Sequence, residues 1–245
     1  MIKSIKYLLS TATLSLLITG CSSNKDTVSE SSPTDIYTSS QKKLQNGNYI
    51  GAIKLLETLN NRYPFGPYTQ QAQLDMIYAY YKSGELSLTI ATIDRFIRLN
   101  LAHPNIDYVL YMRGLTALAL DASALQDFFG IDHANCDPQH AIVAFKDFKQ
   151  LVHFYPNSLY ATDASKRLAF LKERLAKYEL GIIKYYNERL AYVTVINRTE
   201  EMIKNYPDTQ STRNALKYME IAYNKLYLTE EKNKVAELIV ANPIP

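Results

Sequence analysis

The chain has 245 residues, with 27 Lys and Arg against 24 Asp and Glu, and 8 glycines, 2 cysteines, 20 tyrosines and no tryptophan. Lys3 and Lys6 fall in an amino-terminal leader, which leaves the mature chain within one charge of neutrality. No stretch concentrates basic residues without acidic neighbours, which argues against a nucleic-acid-binding surface.

In chain order, Lys3 and Lys6 form a positive start, Tyr7 to Ile18 an apolar stretch, and Leu17-Ile18-Thr19-Gly20-Cys21 a cleavage site of the bacterial lipoprotein type. The leader is too short to be a spanning helix, and no later run reaches the length of a membrane span. Residues 1–20 are therefore expected to be removed and Cys21 to be lipidated, with Ser22 after it pointing to the outer membrane. Several acyl chains hold stably where one is marginal, since each buried CH₂ adds about 0.8 kcal/mol. Residues 21–33 are polar and serine-rich, with Val28 the one apolar side chain after Cys21, and read as a flexible tether. With Cys21 acylated, Cys136 has no partner for an intramolecular disulfide.

Residues 34–241 carry an internal repeat, followed by a short tail, 242–245. Three Tyr-Pro pairs, at Pro64, Pro156 and Pro207, set the register. Twelve residues before each proline stand Ala52, Ala144 and Val195. Five before stand Leu59, Leu151 and Met202, and eight after stand Ala72, Ala164 and Ala215. Small residues at fixed offsets let helices approach closely, and larger apolar ones fill the seam. A second register, shifted by 37 residues, lays Gly47 over Gly84, Ala52 over Thr89, Leu56 over Ile93 and Leu59 over Phe96. Glycine between two amphipathic helices, with proline closing the second, is the tetratricopeptide arrangement, whose period is about 34 residues.

The pattern predicts an all-α solenoid of five hairpins. The expected helices span 34–46 and 49–62, 68–83 and 86–100, 105–121 and 138–154, 158–188 and 191–205, and 209–227 and 230–241. Pro64 and Pro156 are 92 residues apart, and the excess over two repeats is expected as an insertion over 121–138 containing Phe128-Phe129-Gly130. Pro156 and Pro207 are 51 apart with no Gly or Pro between Ser158 and Leu180, which predicts one lengthened helix. Pro33-Thr34-Asp35 and Pro207-Asp208-Thr209 supply capping residues at helix starts.

Stacked hairpins present a groove lined by the first helix of each pair. Counting back from the turn glycines places Tyr37, Leu74, Tyr78, Tyr81, Tyr108 and Tyr111 on that face, with Gly114 as the small position of the third hairpin. The connection Arg62-Tyr63-Pro64-Phe65-Gly66-Pro67-Tyr68 is aromatic where loops are normally polar. Tyrosines with a flat apolar face and a polar tip suit an extended or aromatic-ended peptide, although each could instead serve helix packing. Arg62 and Lys82 beside this groove could receive a terminal carboxylate.

His133, Cys136 and His140, with Asp132 and Asp137, fall short of a metal site's defined spacing and read as loop polarity. His103 and His153 lie at helix ends, and Glu173 with Lys177 reads as a solvated helix pair. There is no nucleophile elbow, phosphate-binding glycine loop or HExxH, so no catalytic role, cofactor or metal is expected.

Several irregular segments carry a likeness. Asn61-Arg62-Tyr63-Pro64-Phe65-Gly66-Pro67-Tyr68, Ile93-Asp94-Arg95-Phe96-Ile97-Arg98-Leu99-Asn100, His103-Pro104-Asn105-Ile106-Asp107-Tyr108, Tyr111-Met112-Arg113-Gly114-Leu115, Asp137-Pro138-Gln139-His140 and Tyr206-Pro207-Asp208-Thr209 resemble the BamD family of outer-membrane β-barrel assembly lipoproteins. The resemblance runs from Cys21 to about residue 241; Cys136 is a departure from it. It implies a non-enzymatic subunit, lipid-anchored to the outer membrane and facing the periplasm, that works with the barrel-forming BamA and the lipoproteins BamC and BamE. It implies capture of the carboxy-terminal strand of unfolded barrel proteins by the amino-terminal hairpins, at Arg62, Tyr63, Phe65, Tyr68 and their groove neighbours. It implies BamA docking by the carboxy-terminal hairpins at Val195-Ile196-Asn197-Arg198, with Asn197 and Arg198 as contacts. A secretin pilotin, also a tetratricopeptide lipoprotein, and a lipid-anchored metal-binding enzyme are the alternatives that the residues leave open.

Overall fold

The computed structural model describes residues 31–126 and 137–242. The leader, Cys21, most of the tether, Phe128-Phe129-Gly130, Asp132, His133, Cys136 and residues 243–245 lie outside the described residues. The described residues form ten helices and no strand: α1 (Pro33–Gln45), α2 (Tyr49–Arg62), α3 (Thr69–Ser83), α4 (Leu86–Leu99), α5 (Ile106–Gln126), α6 (Gln139–Phe154), α7 (Ala161–Glu188), α8 (Tyr192–Asn205), α9 (Gln210–Lys225) and α10 (Thr229–Ala241). The all-α, five-hairpin reading holds.

Local chemistry sets the boundaries. Ser32 caps α1, its Oγ accepting from the Asp35 amide while the Asp35 carboxylate accepts from the Ser32 amide; Pro33 follows at the first position, where a missing N–H costs nothing. The helical repeat thus begins at the residue that the sequence assigns to the end of the tether. Asn48 caps α2 through the Gly51 amide, and Thr209 caps α9 through the Thr212 amide. The two early hairpins turn on Gly47 and Gly84 at φ +70 and +82, the left-handed region that glycine enters freely. The two last turn on Leu190 and Tyr227 at φ +60 and +59, where a side chain costs roughly 1–2 kcal/mol.

Every predicted repeat column is buried: Ala52, Ala144 and Val195, then Leu59, Leu151 and Met202, then Ala72, Ala164 and Ala215, together with Thr89, Ile93 and Phe96. Gly114 shows why one position must be small. A Cβ there would come within 2.6 Å of the Phe148 ring, so α5 and α6 touch backbone to aromatic.

Two boundaries differ from expectation. Helix α5 runs to Gln126, five residues past its expected end at 121, because Asp121 to Gln126 contains no breaker. Helix α7 starts at Ala161, after Pro156 and a turn closed by the Ala161 amide on the Ser158 carbonyl. It is the lengthened helix, 28 residues and about 42 Å. The part up to Leu175 puts Ala164, Leu171 and Leu175 into a central core shared with α3 to α6. The remainder puts Ala176, Leu180 and Ile183 into a carboxy-terminal core with α8, α9 and α10. A third core, around Ile36, Leu56 and Met76, joins α1, α2 and α3.

Each helix packs on the next in sequence, and the first helices of hairpins also meet, most closely α7 with α9. Short connections make neighbours antiparallel, so connections alternate between two edges of the stack. Turns within hairpins share one edge. Connections between hairpins share the other, and bonds join them there: Gln70 donates to Asn100 across 3.0 Å, and Ser158 Oγ to Asp107 across 2.6 Å.

Candidate functional site

The first helices α1, α3, α5 and α7 share one face, and tyrosines occupy it in a repeated arrangement. Tyr68, just before α3, stacks on Tyr37 of α1 with centroids 4.6 Å apart and planes 14° off parallel. Tyr160, just before α7, stacks on Tyr111 of α5 at 4.8 Å and 20°. Tyr68 and Tyr160 each stand four residues after a Tyr-Pro proline, so one repeat position supplies both stacks. In each unit the underlying tyrosine also donates to a carboxylate on the first helix of the next hairpin: Tyr37 Oη to Asp75 at 3.1 Å, and Tyr111 Oη to Asp163 at 2.8 Å.

The two carboxylates are held differently. Asp75 accepts from Tyr37, from Gln41 at 2.5 Å and from Gln71 at 3.0 Å, with no cation among these partners. Burial raises its pKa above the ordinary carboxylate range, and the three hydrogen bonds only partly oppose that. Asp163 accepts from Arg167 at 2.5 Å, and this bond holds its pKa below the ordinary range, with the Tyr111 bond assisting. Between the units, Tyr108 is raised above the usual phenol value by burial first and then by Tyr160, Asp75 and Tyr78, which links the two stacks across the face.

Of the residues expected in the groove, Tyr37, Tyr68, Tyr78, Tyr108 and Tyr111 share this face. Tyr78 meets Tyr49 edge-on at 5.9 Å, and the Lys82 ammonium lies 5.9 Å from the Tyr49 ring. Leu74 is corrected: it is buried in the central core instead of lining the groove. Tyr81 packs against the same core, and Tyr63 against the core joining α1, α2 and α3. Phe65 is 99 % exposed, on the connection joining the first two hairpins, so it adds no wall to the groove. Arg62 and Lys82 do not flank one carboxylate site. Tyr63 bonds Thr69 at the start of α3, so Arg62 sits near that end, while Lys82 lies 13 residues on, about 20 Å away.

Asp75, Tyr160 and Asp163 join these units in addition to the residues expected from the sequence. Tyr160 was legible, as the repeat equivalent of Tyr68. The two aspartates carry no signal alone, since only folding brings a tyrosine hydroxyl onto each.

The second candidate region is a cleft of ≈ 420 Å³ lined by Glu179, Asn197, Arg198, Glu201, Met202, Asn205 and Tyr206. Asn197 is exposed. Arg198 is engaged within the chain: its Nη1 donates to Glu179 at 2.7 Å, and the guanidinium lies 5.6 Å from the Tyr186 ring. A partner carboxylate would therefore share Arg198 with Glu179 or displace it.

Other charges serve the fold. Arg113 grips buried Asp147 with two bonds, at 2.9 and 2.5 Å, and Arg174 is paired with buried Asp121. Glu173, expected in a solvated helix pair, instead accepts from the Gln210 and Ser211 amides at 3.1 and 3.2 Å and so closes the start of α9. His140 is the second residue of α6, and among the described residues no group of three His, Cys, Asp or Glu side chains could hold a metal; His133 and Cys136 lie outside them. No helix of the described residues is long and apolar enough to cross a membrane.

Residues 29–238 match the family model YfiO, an outer membrane lipoprotein. The chain is 48% identical to the outer membrane protein assembly factor BamD of Vibrio cholerae, over 94% of this chain and 95% of that one. It is 42% identical to the protein of that name from Pasteurella multocida, over 98% and 91%, and 38% identical to that from Neisseria meningitidis serogroup B, over 91% and 85%. A solved protein with TPR-like repeats, a Podosopora anserina putative kinesin light chain, overlays at TM-score 0.41 and 15% identity, over 86% of this chain and 95% of that one. Match over most of the length, at these identities, means that the chain belongs to the YfiO family of outer membrane lipoproteins, with the BamD assembly factors.

Proposed function

We propose that the chain is a non-catalytic outer membrane protein assembly factor that binds a strand of an unfolded barrel protein on its amino-terminal tyrosine face and docks BamA through its carboxy-terminal hairpins. It is lipidated at Cys21, faces the periplasm, and works alongside BamC and BamE. The name borne by its relatives supports the coarse role. The observation that carries the finer one is the paired tyrosine units, Tyr37 with Tyr68 and Tyr111 with Tyr160, repeated along one face.

The chemistry suits an extended peptide ending in an aromatic residue. Stacked tyrosines offer edges and faces to an aromatic ring, worth about 0.5–1.5 kcal/mol per pair beyond area burial. Lys82 at the far end of α3 and Arg167 beside Asp163 offer cations to a carboxylate at separate points along the face. Arg62 and Phe65, on the connecting edge, engage residues of the same client outside the groove. At the other end of the molecule, Asn197 and Arg198 receive an acidic loop of BamA, with Glu179 yielding the guanidinium as that loop arrives.

The test is binding of a labelled barrel-derived carboxy-terminal peptide. Tyr68→Ala with Tyr160→Ala lowers affinity by about ten-fold or more, equivalent to about 1.4 kcal/mol. Unchanged affinity in the folded double variant contradicts the reading.

A further inference from the structure

The edge formed by the connections between hairpins differs from both candidate regions. Three successive connections each raise a bare apolar side chain from it: Phe65 at 99 % exposure, Leu101 at 75 % and Leu159 at 94 %. These tips protrude from loops, and Leu101 also borders a cleft of ≈ 570 Å³ with Gln70, Arg98, Asn100 and His103. The Gln70–Asn100 and Ser158–Asp107 bonds tie the three connections to one another, which fixes the tips as a single row.

The exposed charges on these connections are basic, and the one carboxylate between the second and third, Asp107, accepts from Ser158 Oγ. Residues 58–70, 95–106 and 148–162 contain no Asp or Glu, yet they hold Arg62, Arg98 and Lys149 on exposed positions. No one segment is strongly basic; the fold gathers the charges. At the third connection, the end of α6 and the flank of α7 enclose a cleft of ≈ 610 Å³. Val152, Phe154 and Leu168 give it apolar walls, and Lys146, Lys149 and His153 stand around it with no carboxylate among the lining residues.

We propose that this edge is a docking surface for an anionic phospholipid bilayer, with Leu101 and Leu159 entering the headgroup region and the α6–α7 cleft seating a lipid phosphate over apolar walls. The occupant follows from the surface. Protruding apolar tips match a fluid interface better than a rigid partner, and flanking cations match its phosphates. A family of outer membrane lipoproteins supplies the bilayer at hand. Docking would set which way the tyrosine face looks, a task that a tether alone cannot perform. The proposal does not depend on what that face binds.

The full chain is bound to vesicles of phosphatidylethanolamine with phosphatidylglycerol, and in parallel to phosphatidylcholine vesicles, with a photo-crosslinking residue replacing Leu101, Leu159 or Tyr227. Tyr227 is 92 % exposed on the opposite edge and serves as the control; all three sites are exposed enough to substitute without unfolding the chain. Lipid adducts are expected from 101 and 159 several-fold above 227, on the anionic vesicles only. Lys149→Gln is expected to lower them about five-fold, the factor corresponding to about 1 kcal/mol for one basic residue at an anionic surface. Equal adducts from both edges, indifference to anionic lipid, or, in cell membranes, adducts to a protein in place of lipid would overturn the proposal. Leu101→Ser with Leu159→Ser leaves peptide binding by the tyrosine face intact, which separates this proposal from that reading.

Discussion

The amino-terminal and carboxy-terminal hairpins use the same repeat for different surfaces. Four residues after Pro64 and Pro156 stand Tyr68 and Tyr160, each stacked on the tyrosine of the preceding first helix. Four residues after Pro207 stands Ser211, and there the repeat makes a polar joint, with the Ser211 hydroxyl donating to Glu173 at 2.8 Å. Half-buried stacked aromatic rings on one half thus give way to a closed helix junction and a polar cleft around Arg198 on the other. A repeat scaffold tolerates this because its buried columns are independent of what each first helix shows on its outer face. Helix α7 is where the halves meet, one end in each core.

The largest expected effect tests that shared helix. Phe148→Ala empties the seam against Gly114 and costs about 3–5 kcal/mol of stability by denaturant unfolding. Because α7 serves both cores, far-ultraviolet circular dichroism and a fluorophore on α9 should report one transition; two would make the halves separate folding units. Next, the binding roles should dissociate. Arg198→Ala should lower BamA co-purification with a loss of about 2 kcal/mol or more and leave peptide binding unchanged. Tyr68→Ala with Tyr160→Ala should do the reverse.

A smaller effect distinguishes the two tyrosine units by pH. Asp75 has its pKa raised by burial, so the folded chain takes up that proton at higher pH than the unfolded one. Its contribution to stability is therefore full below the ordinary carboxylate range and lost as pH rises through the raised value. Asp163 has its pKa lowered by Arg167, so its contribution is full above the ordinary range and lost as pH falls through the lowered value. Carbon-13 NMR titration of the two carboxyls should find them on opposite sides of the ordinary value; coincident titrations would contradict the account. The smallest effect lies at the turns. Leu190→Gly or Tyr227→Gly should relieve the left-handed backbone and stabilise by up to about 1 kcal/mol in thermal unfolding, whereas Gly47→Leu should destabilise.

Much of the fold was legible because the repeat encodes it redundantly. Ala52, Leu59 and Ala72 recur in register at 144, 151 and 164 and again at 195, 202 and 215, and all nine are buried. The helix ends were legible where a breaker or cap marks them, as at Gly84 and Thr209, and less so at Gln126, where nothing in the sequence stops α5. The site was legible in type more than in membership. Tyrosines advertise themselves, but Leu74 and Tyr81 share the helical period of Tyr78 and differ by which neighbour covers them. Arg62 and Lys82 are close in the list of cations and far apart in space because an antiparallel hairpin separates its ends. The pairing of Arg198 with Glu179, 19 residues away, depends on how α8 returns along α7, which no local pattern records.

If the molecule works as proposed, its two halves hold different partners. A photo-crosslinking residue at Tyr78 and another at Asn197, both exposed in the fold, would test it in growing cells. Adducts with unfolded barrel proteins are expected from Tyr78 and with BamA from Asn197. The same partner from both positions, or the two exchanged, would contradict it.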